Sequence, residues 1–237
     1  MKSWLGTMWK KYVLGAFFPN ACFSCRKFSF DSVCSACLGE VNLLSGFACS
    51  VCKKNFPRPD FHCHLGAYSL LAIAKYEKTI SELLRQLKFN RKTEIANSLA
   101  PIFRARLDLI SLDWKNFLIV PIPLHPKRYR ERGFNQAELF AEIVAMYYDQ
   151  PLVSDILIRK KYTKPQSGLE NSYLRGLNLQ DSFFVLSPEI FQNKKVLVVD
   201  DVFTTGETMN EAIKVLRQAG VVSVRALSVA TTSLEKF

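Results

Sequence analysis

Residues 196–208 read V-L-V-V-D-D-V-F-T-T-G-E-T, an apolar run, two adjacent carboxylates and a Thr/Gly turn in unbroken succession. Val196, Leu197, Val198 and Val199 form a short, mostly β-branched run without charge, the pattern of a strand buried on both faces of a parallel sheet. A turn is predicted at Thr204, Thr205 and Gly206, which supply hydroxyls and a residue free to take positive φ. From Glu207 to Ala219, the residues Met209, Ala212, Ile213 and Leu216 recur at helical spacing, and Gly220 reads as the stop. Strand, turn and helix in this order aim the free N–H groups of the helix start at one spot beyond the sheet, where hydrogen bonding and the helix dipole favour a phosphate. Asp200 and Asp201 leave the strand at that spot. Negative charge is badly placed there unless it accepts hydrogen bonds from sugar hydroxyls or holds a hydrated divalent cation. The expected ligand therefore carries both phosphate and hydroxyls.

V-V-D-D-V-F-T-T-G resembles the phosphoribosyl pyrophosphate (PRPP) loop of the type I phosphoribosyltransferases. The resemblance implies that Asp200 and Asp201 meet the ribose hydroxyls, that Thr204, Thr205, Gly206, Glu207 and Thr208 surround the 5′-phosphate, and that Mg²⁺ accompanies PRPP. It assigns no covalent nucleophile, and the catalytic residues stay unassigned.

The front of the chain obeys a different chemistry. All seven cysteines precede residue 64, and six form three C-x-x-C pairs, Cys22/Cys25, Cys34/Cys37 and Cys49/Cys52. The first two pairs give four thiolates on two tight knuckles, as a closed tetrahedral Zn²⁺ site requires. No export signal accompanies them, which argues against a disulfide framework, and three crowded pairs suit metal better than one redox dithiol. A second Zn²⁺ site would use Cys49, Cys52 and Cys63, with Asp60, His62 or His64 as the fourth ligand, so that one or two structural zinc ions are expected. Before the cysteines, Trp4, Leu5, Met8, Trp9, Tyr12, Val13 and Phe17 share much of one helix face, and Lys10 and Lys11 interrupt the run. That is the pattern of a short amphipathic helix rather than a signal peptide, and no segment reads as transmembrane.

A boundary is expected near residue 66, with an amphipathic start and zinc module over 1–66 and a larger domain over 67–237. Residues 67–76 read as a strand, 78–87 and 95–107 as helices, 117–122 as a second buried strand, and 136–147 as a further helix. Between the last two lies P-I-P-L-H-P-K-R-Y-R-E-R-G-F-N-Q, a Pro-punctuated basic loop carrying Lys127, Arg128, Arg130 and Arg132. In a doubly wound sheet it would open on the same edge as the acidic turn, and Lys127, Arg128 and Arg132 could meet pyrophosphate or nucleic acid. Residues 158–180 are polar, basic and broken by Pro165 and Gly168, which suits a lid, with Arg175 and Asn178 at a spacing that lets both face the cleft.

Taken together, the cysteine knuckles, L-K-F-N-R-K-T-E-I-A at 87–96, R-E-R-G-F-N-Q-A-E-L at 130–139, Q-S-G-L at 166–169 and the acidic turn resemble the ComF family. The chain departs from members with eight front cysteines in having Asp60 and Cys63 where they carry a fourth C-x-x-C. The resemblance implies an α/β fold, a type I phosphoribosyltransferase-like parallel sheet flanked by helices with a small N-terminal zinc-ribbon-like module. It also implies a cytosolic role in natural competence and transformation, acting on incoming single-stranded DNA, with competence machinery proteins at the inner membrane as partners. Charge agrees with a polyanionic partner, since 32 Lys and Arg against 21 Asp and Glu leave +11. Basic clusters recur at 127–132, 159–164 and 194–195, with Tyr129, Phe134 and Tyr162 nearby for base stacking. The competing readings are a non-catalytic PRPP-sensing or DNA- or partner-binding module, and a phosphoribosyltransferase of nucleotide salvage.

Overall fold

The computed structural model describes residues 21–59, 63–109, 116–160 and 182–232. The amphipathic start, Asp60, His62, Tyr162, the Q-S-G-L motif, Arg175 and Asn178 lie outside the described residues.

In chain order the elements are α1 (Ser35–Gly39), β1 (Phe47–Cys49), β2 (Asn55–Phe56), β3 (Ser69–Lys75), α2 (Lys78–Asn90), α3 (Glu94–Asp108), β4 (Phe117–Pro121), α4 (Pro126–Arg132), α5 (Gln136–Tyr148), β5 (Leu157–Arg159), β6 (Phe183–Val185), β7 (Lys195–Phe203), α6 (Glu207–Gln218) and β8 (Ser223–Thr231). One sheet runs β2-β1-β3-β8-β7-β4, and β5 and β6 form a separate antiparallel pair. The four strands β3, β8, β7 and β4 run parallel to one another. β1 instead pairs antiparallel with β3, Ala48 opposite Leu70 and Cys49 opposite Ser69, so the cysteine-bearing hairpin extends the main sheet across residue 66.

Side-chain alternation divides the core into two layers. Leu197 and Val199 of β7, Ile119 of β4 and Leu71 and Ile73 of β3 face one side, where α2, α3, α5 and the buried Cys22 and Cys37 pack. Val196 and Val198, with Val120 and Leu70, face the other, against Met209, Ala212, Ile213 and Leu216 of α6 and Phe183 of β6. These central strands are apolar on both faces because both faces are covered, as the uninterrupted apolar run at 196–199 requires.

Structure differs from sequence expectation in the basic loop, which contains the short helix α4. Pro126 occupies its first turn, where a missing N–H costs nothing, and the His125 side chain accepts from the Lys127 backbone N–H at 3.1 Å. Gly133 ends it at φ 85°, donating its N–H to the Tyr129 carbonyl at 2.7 Å. Pro126 and Gly133 are thus helix boundaries, whereas Pro121 ends β4.

Arg106 of α3 is only 2% exposed and donates through Nη2 to the Gly46 carbonyl at 2.8 Å, tying the helical layer to the front module. Replacing Arg106 with Ala removes buried packing and orphans that carbonyl. The expected cost is about 2–4 kcal/mol, read from the midpoint of denaturant unfolding.

Candidate functional site

β4 and β7 are parallel, with Pro121 opposite Val199, so their carboxyl ends reach the same edge of the sheet. The pairing continues one step, the Ile122 N–H donating to the Val199 carbonyl at 2.8 Å. Asn135 then bridges to this strand end, because its Nδ2 donates to the Ile122 carbonyl at 3.0 Å while its Oδ1 caps α5 by accepting from the Ala137 N–H at 3.2 Å. R-G-F-N-Q is thus a structural junction. Arg132 and Gly133 close α4, Phe134 packs against the core, Asn135 caps α5 and Gln136 opens it.

A cleft of about 360 Å³ opens at this edge, lined among others by Asp200, Asp201, Thr204, Thr208, Arg128 and Arg132. Two segments separated by some seventy residues in sequence are therefore joined in one site. Lys88 at the end of α2, Gln136 and Arg159 of β5 line it too; Arg159 falls in the basic segment 158–180 that reads as a lid, whereas Lys88 and Gln136 carry no expected role there. Lys88 and Gln136 fall within the motifs L-K-F-N-R-K and R-G-F-N-Q, which was the available signal. Thr205 and Gly206 form the turn itself, Glu207 opens α6, Lys127 does not line the cleft, and Arg175 lies outside the described residues.

The turn leaves an open helix start. Gly206 precedes α6 at φ 90°, with no side-chain cap on the first N–H groups. A Cβ at Gly206 would lie 2.6 Å from the Phe203 ring, so both the backbone angle and the space require glycine.

The cleft brings like charges close together. Asp201 Oδ2 pairs with Lys88 Nζ at 2.6 Å. Burial works against the Lys88 ammonium, and Asp201 and Asp200 outweigh it and hold its pKa above the ordinary value. Burial, then the Asp201 charge, push the Asp200 carboxyl up to about 8. Burial and the nearby Arg128 cation lower both Arg132 and Arg159. Like-charged guanidinium groups crowded in a cleft gain most from an anion among them. The Nε2 of Gln136, whose side chain is buried, has no hydrogen-bond partner among the described residues.

The cysteines form two clusters, Cys22, Cys25, Cys34 and Cys37, and Cys49, Cys52, Cys63 and His64, with ligand atoms inside each within 4.8 Å of one another. Bonds of about 2.3 Å to a tetrahedral Zn²⁺ place two sulfurs about 3.8 Å apart. Cys25 and Cys34 Sγ are separated by 3.8 Å, and Cys49 Sγ lies 3.6 Å from His64 Nδ1, so both clusters have edges suited to zinc. Cys52 and Cys63 sit closer, at 3.2 Å. Proton sharing is strained in each cluster. Burial opposes ionisation of Cys22 and Cys49, yet backbone N–H groups from the knuckles outweigh it and lower both to about 6. Burial raises Cys37 to about 12, and contacts with Cys49 and Cys52 raise Cys63 to about 12. A divalent cation that accepts all the deprotonated ligands removes this conflict.

The family described as Phosphoribosyl transferase domain matches residues 135–233, which gives the class: a phosphoribosyl transferase domain whose acidic turn closes the cleft. Its relatives narrow the class. The chain is 29% identical over 228 residues to competence protein F of Haemophilus influenzae, covering 85% of this chain and 97% of that one. It is 28% identical over 225 residues to DNA utilization protein YhgH of Escherichia coli, covering 87% and 95%. Against competence protein ComFC of Bacillus subtilis it is 26% identical over 215 residues, covering 86% and 84%. Among solved structures, adenine phosphoribosyltransferase from Leishmania tarentolae aligns over 81% of this chain and 86% of its own, at 14% identity and a TM-score of 0.36. Over most of its length the chain is homologous to proteins named competence protein F, DNA utilization protein YhgH and competence protein ComFC, and it carries a phosphoribosyl transferase domain.

Two outcomes test the site's chemistry. Cys22→Ser and Cys52→Ser are each expected to lower zinc content by about one ion per chain by metal analysis, and Cys22→Ser also to lower the melting temperature, because Cys22 is fully buried in the core. Asp200 is raised from its ordinary 3.8 to about 8, so the native state keeps a proton that the unfolded chain has lost. Its contribution therefore makes stability fall as pH rises between those values. Thermal unfolding of the ligand-free protein between pH 6 and 8 should show a shallower fall in Asp200→Asn than in the wild type.

Proposed function

We propose that the protein binds PRPP with Mg²⁺ in this cleft and acts as a cytosolic phosphoribosyltransferase-like protein in the handling of incoming single-stranded DNA. One observation carries the reading: the acidic pair and the uncapped helix start share a cleft with Arg128, Arg132 and Arg159. A ligand with a phosphate at one end, sugar hydroxyls in the middle and a pyrophosphate at the other matches that order of charges.

In this reading, the N–H groups at the start of α6, with Thr204 and Thr208, take the 5′-phosphate. Asp200 and Asp201 accept hydrogen bonds from the ribose hydroxyls, and Lys88 holds Asp201 in place. The guanidinium groups and the Gln136 amide face the pyrophosphate. Bound Mg²⁺ supplies neutralising charge for the pyrophosphate oxygens. The reaction class served is displacement at C1′: the bond from C1′ to the pyrophosphate oxygen breaks, its electrons leave with pyrophosphate, and an acceptor bonds to C1′ and gives up a proton. Fixed cations around the leaving group stabilise the charge that develops there.

DNA enters through the names of the relatives, competence protein F and DNA utilization protein YhgH, and through the net charge of +11. Exposed aromatics beside the cleft fit the same partner. Tyr129 of α4 is half exposed, and Phe89 projects into solvent with the Arg132 guanidinium 5.9 Å from its ring centroid. No helix among the described residues is long and apolar enough to cross a membrane.

The experiment is pyrophosphate release from labelled PRPP and Mg²⁺, with and without single-stranded DNA or nucleobases. Acceptor-dependent release that disappears in the double variant Asp200→Asn/Asp201→Asn is expected for a transferase. Saturable PRPP binding without release would make the cleft a sensor, and absence of PRPP binding would overturn the proposal.

A further inference from the structure

The second cysteine cluster is joined to the acidic turn by two struts. The knuckle closes tightly, with the Lys53 N–H donating to the Cys49 carbonyl at 3.0 Å and the Cys49 N–H to the Lys54 carbonyl at 2.9 Å. Lys53 takes φ 60°, a left-handed angle, and its Nζ donates to the Ser50 carbonyl at 2.5 Å. The same ammonium lies 4.4 Å from the centroid of the Phe203 ring, at the end of β7. It is also 3.6 Å from the point a Cβ on Gly206 would occupy, so it stands beside the residue that opens α6. The second strut begins at Ser50, whose N–H donates to the Tyr68 carbonyl and whose Oγ accepts from the Tyr68 N–H, both at 3.1 Å. The Tyr68 hydroxyl donates to Asn210 Oδ1 at 2.7 Å, in the first turn of α6.

An ammonium at this place has the wrong sign for its neighbour. The start of α6 carries the positive end of the helix dipole, and no side chain caps it. The Ser50 carbonyl, the Phe203 ring face and the charge of the Cys49 and Cys52 sulfurs hold the ammonium there, and an anion placed between it and the helix start would be attracted by both. We propose that Lys53, carried by the Cys49/Cys52/Cys63/His64 knuckle, belongs to the 5′-phosphate site, and that metal in this cluster and phosphate on the turn bind with positive linkage. The proposal rests on the reading of that turn as a 5′-phosphate site. Metal fixes the knuckle, the knuckle fixes Lys53, and Lys53 completes the anion site. Phosphate must then strengthen metal retention by the factor by which metal strengthens phosphate binding.

The test titrates ribose 5-phosphate, which has the 5′-phosphate and no pyrophosphate, into the full-length zinc-loaded wild type, Lys53→Met and Lys53→Arg. Lys53→Met is expected to keep its zinc content and to bind about five- to tenfold more weakly, with the loss shrinking as salt rises. Lys53→Arg should recover part of the affinity. Zinc release to a chelator gives the second readout. The release phase absent from Cys52→Ser should slow when ribose 5-phosphate is added to the wild type and stay unchanged in Lys53→Met. Failure of the wild type to bind ribose 5-phosphate would overturn the 5′-phosphate reading itself. Equal affinity and equal zinc release in wild type and Lys53→Met would overturn the role of Lys53 alone.

Discussion

The parallel register of β4 on β7 is the constraint on which the rest of the site depends. Pro121 opposite Val199 brings two strand ends to one edge, and the hydrogen bond from Ile122 to Val199 extends the pairing past the strand. Asn135 then converts the register into a helix position, because the same side chain holds Ile122 and caps α5. Shifting β4 by one residue would turn its buried side chains to the opposite layer and carry Arg128, Arg132 and Gln136 away from Asp200. The two-layer core resists that shift, since Ile119 and Val120 are each fully buried against different helices.

Within that frame, the charges are arranged for a ligand more than for stability. A buried carboxylate beside another carboxylate disfavours ionisation, and clustered guanidinium groups lower one another's pKa. The Lys88–Asp201 pair compensates part of this, at 2.6 Å and largely shielded from water. What is left is an acidic floor with cations around it, a preorganised arrangement that a hydroxylated polyanion would satisfy.

The cysteine-rich front is built into the larger unit. A segment this short cannot bury a core of its own, and its strand β1 takes hydrogen bonds from β3 while Cys22, Val33 and Cys37 share the apolar layer of α2 and α3. Arg106 and Lys53 bind it at two further points, one to the helical layer and one to the acidic turn. A metal ion held by such a cluster would stiffen the knuckle that carries Lys53 to the acidic turn.

Local sequence alone determined the parts governed by local physics. The valine run, the acidic pair, the glycine turn and the helix behind it were legible because a buried strand, a positive φ and a 3.6-residue period each leave a mark within a few residues. Cysteine spacing was legible for the same reason, as a knuckle is a local turn. The basic segment was misread as a loop because proline and glycine punctuate helix ends as well as loops, and only the capping bonds of His125 and Gly133 tell them apart. Lys88 and Gln136 could not be placed at the site from sequence, since each reaches it from a different element. The nearness of His64 Nδ1 to Cys49 and Cys63 likewise emerged only when the chain folded back. Those juxtapositions belong to strand register and to layer packing, which add up small preferences over the whole core and leave no signature at any one residue.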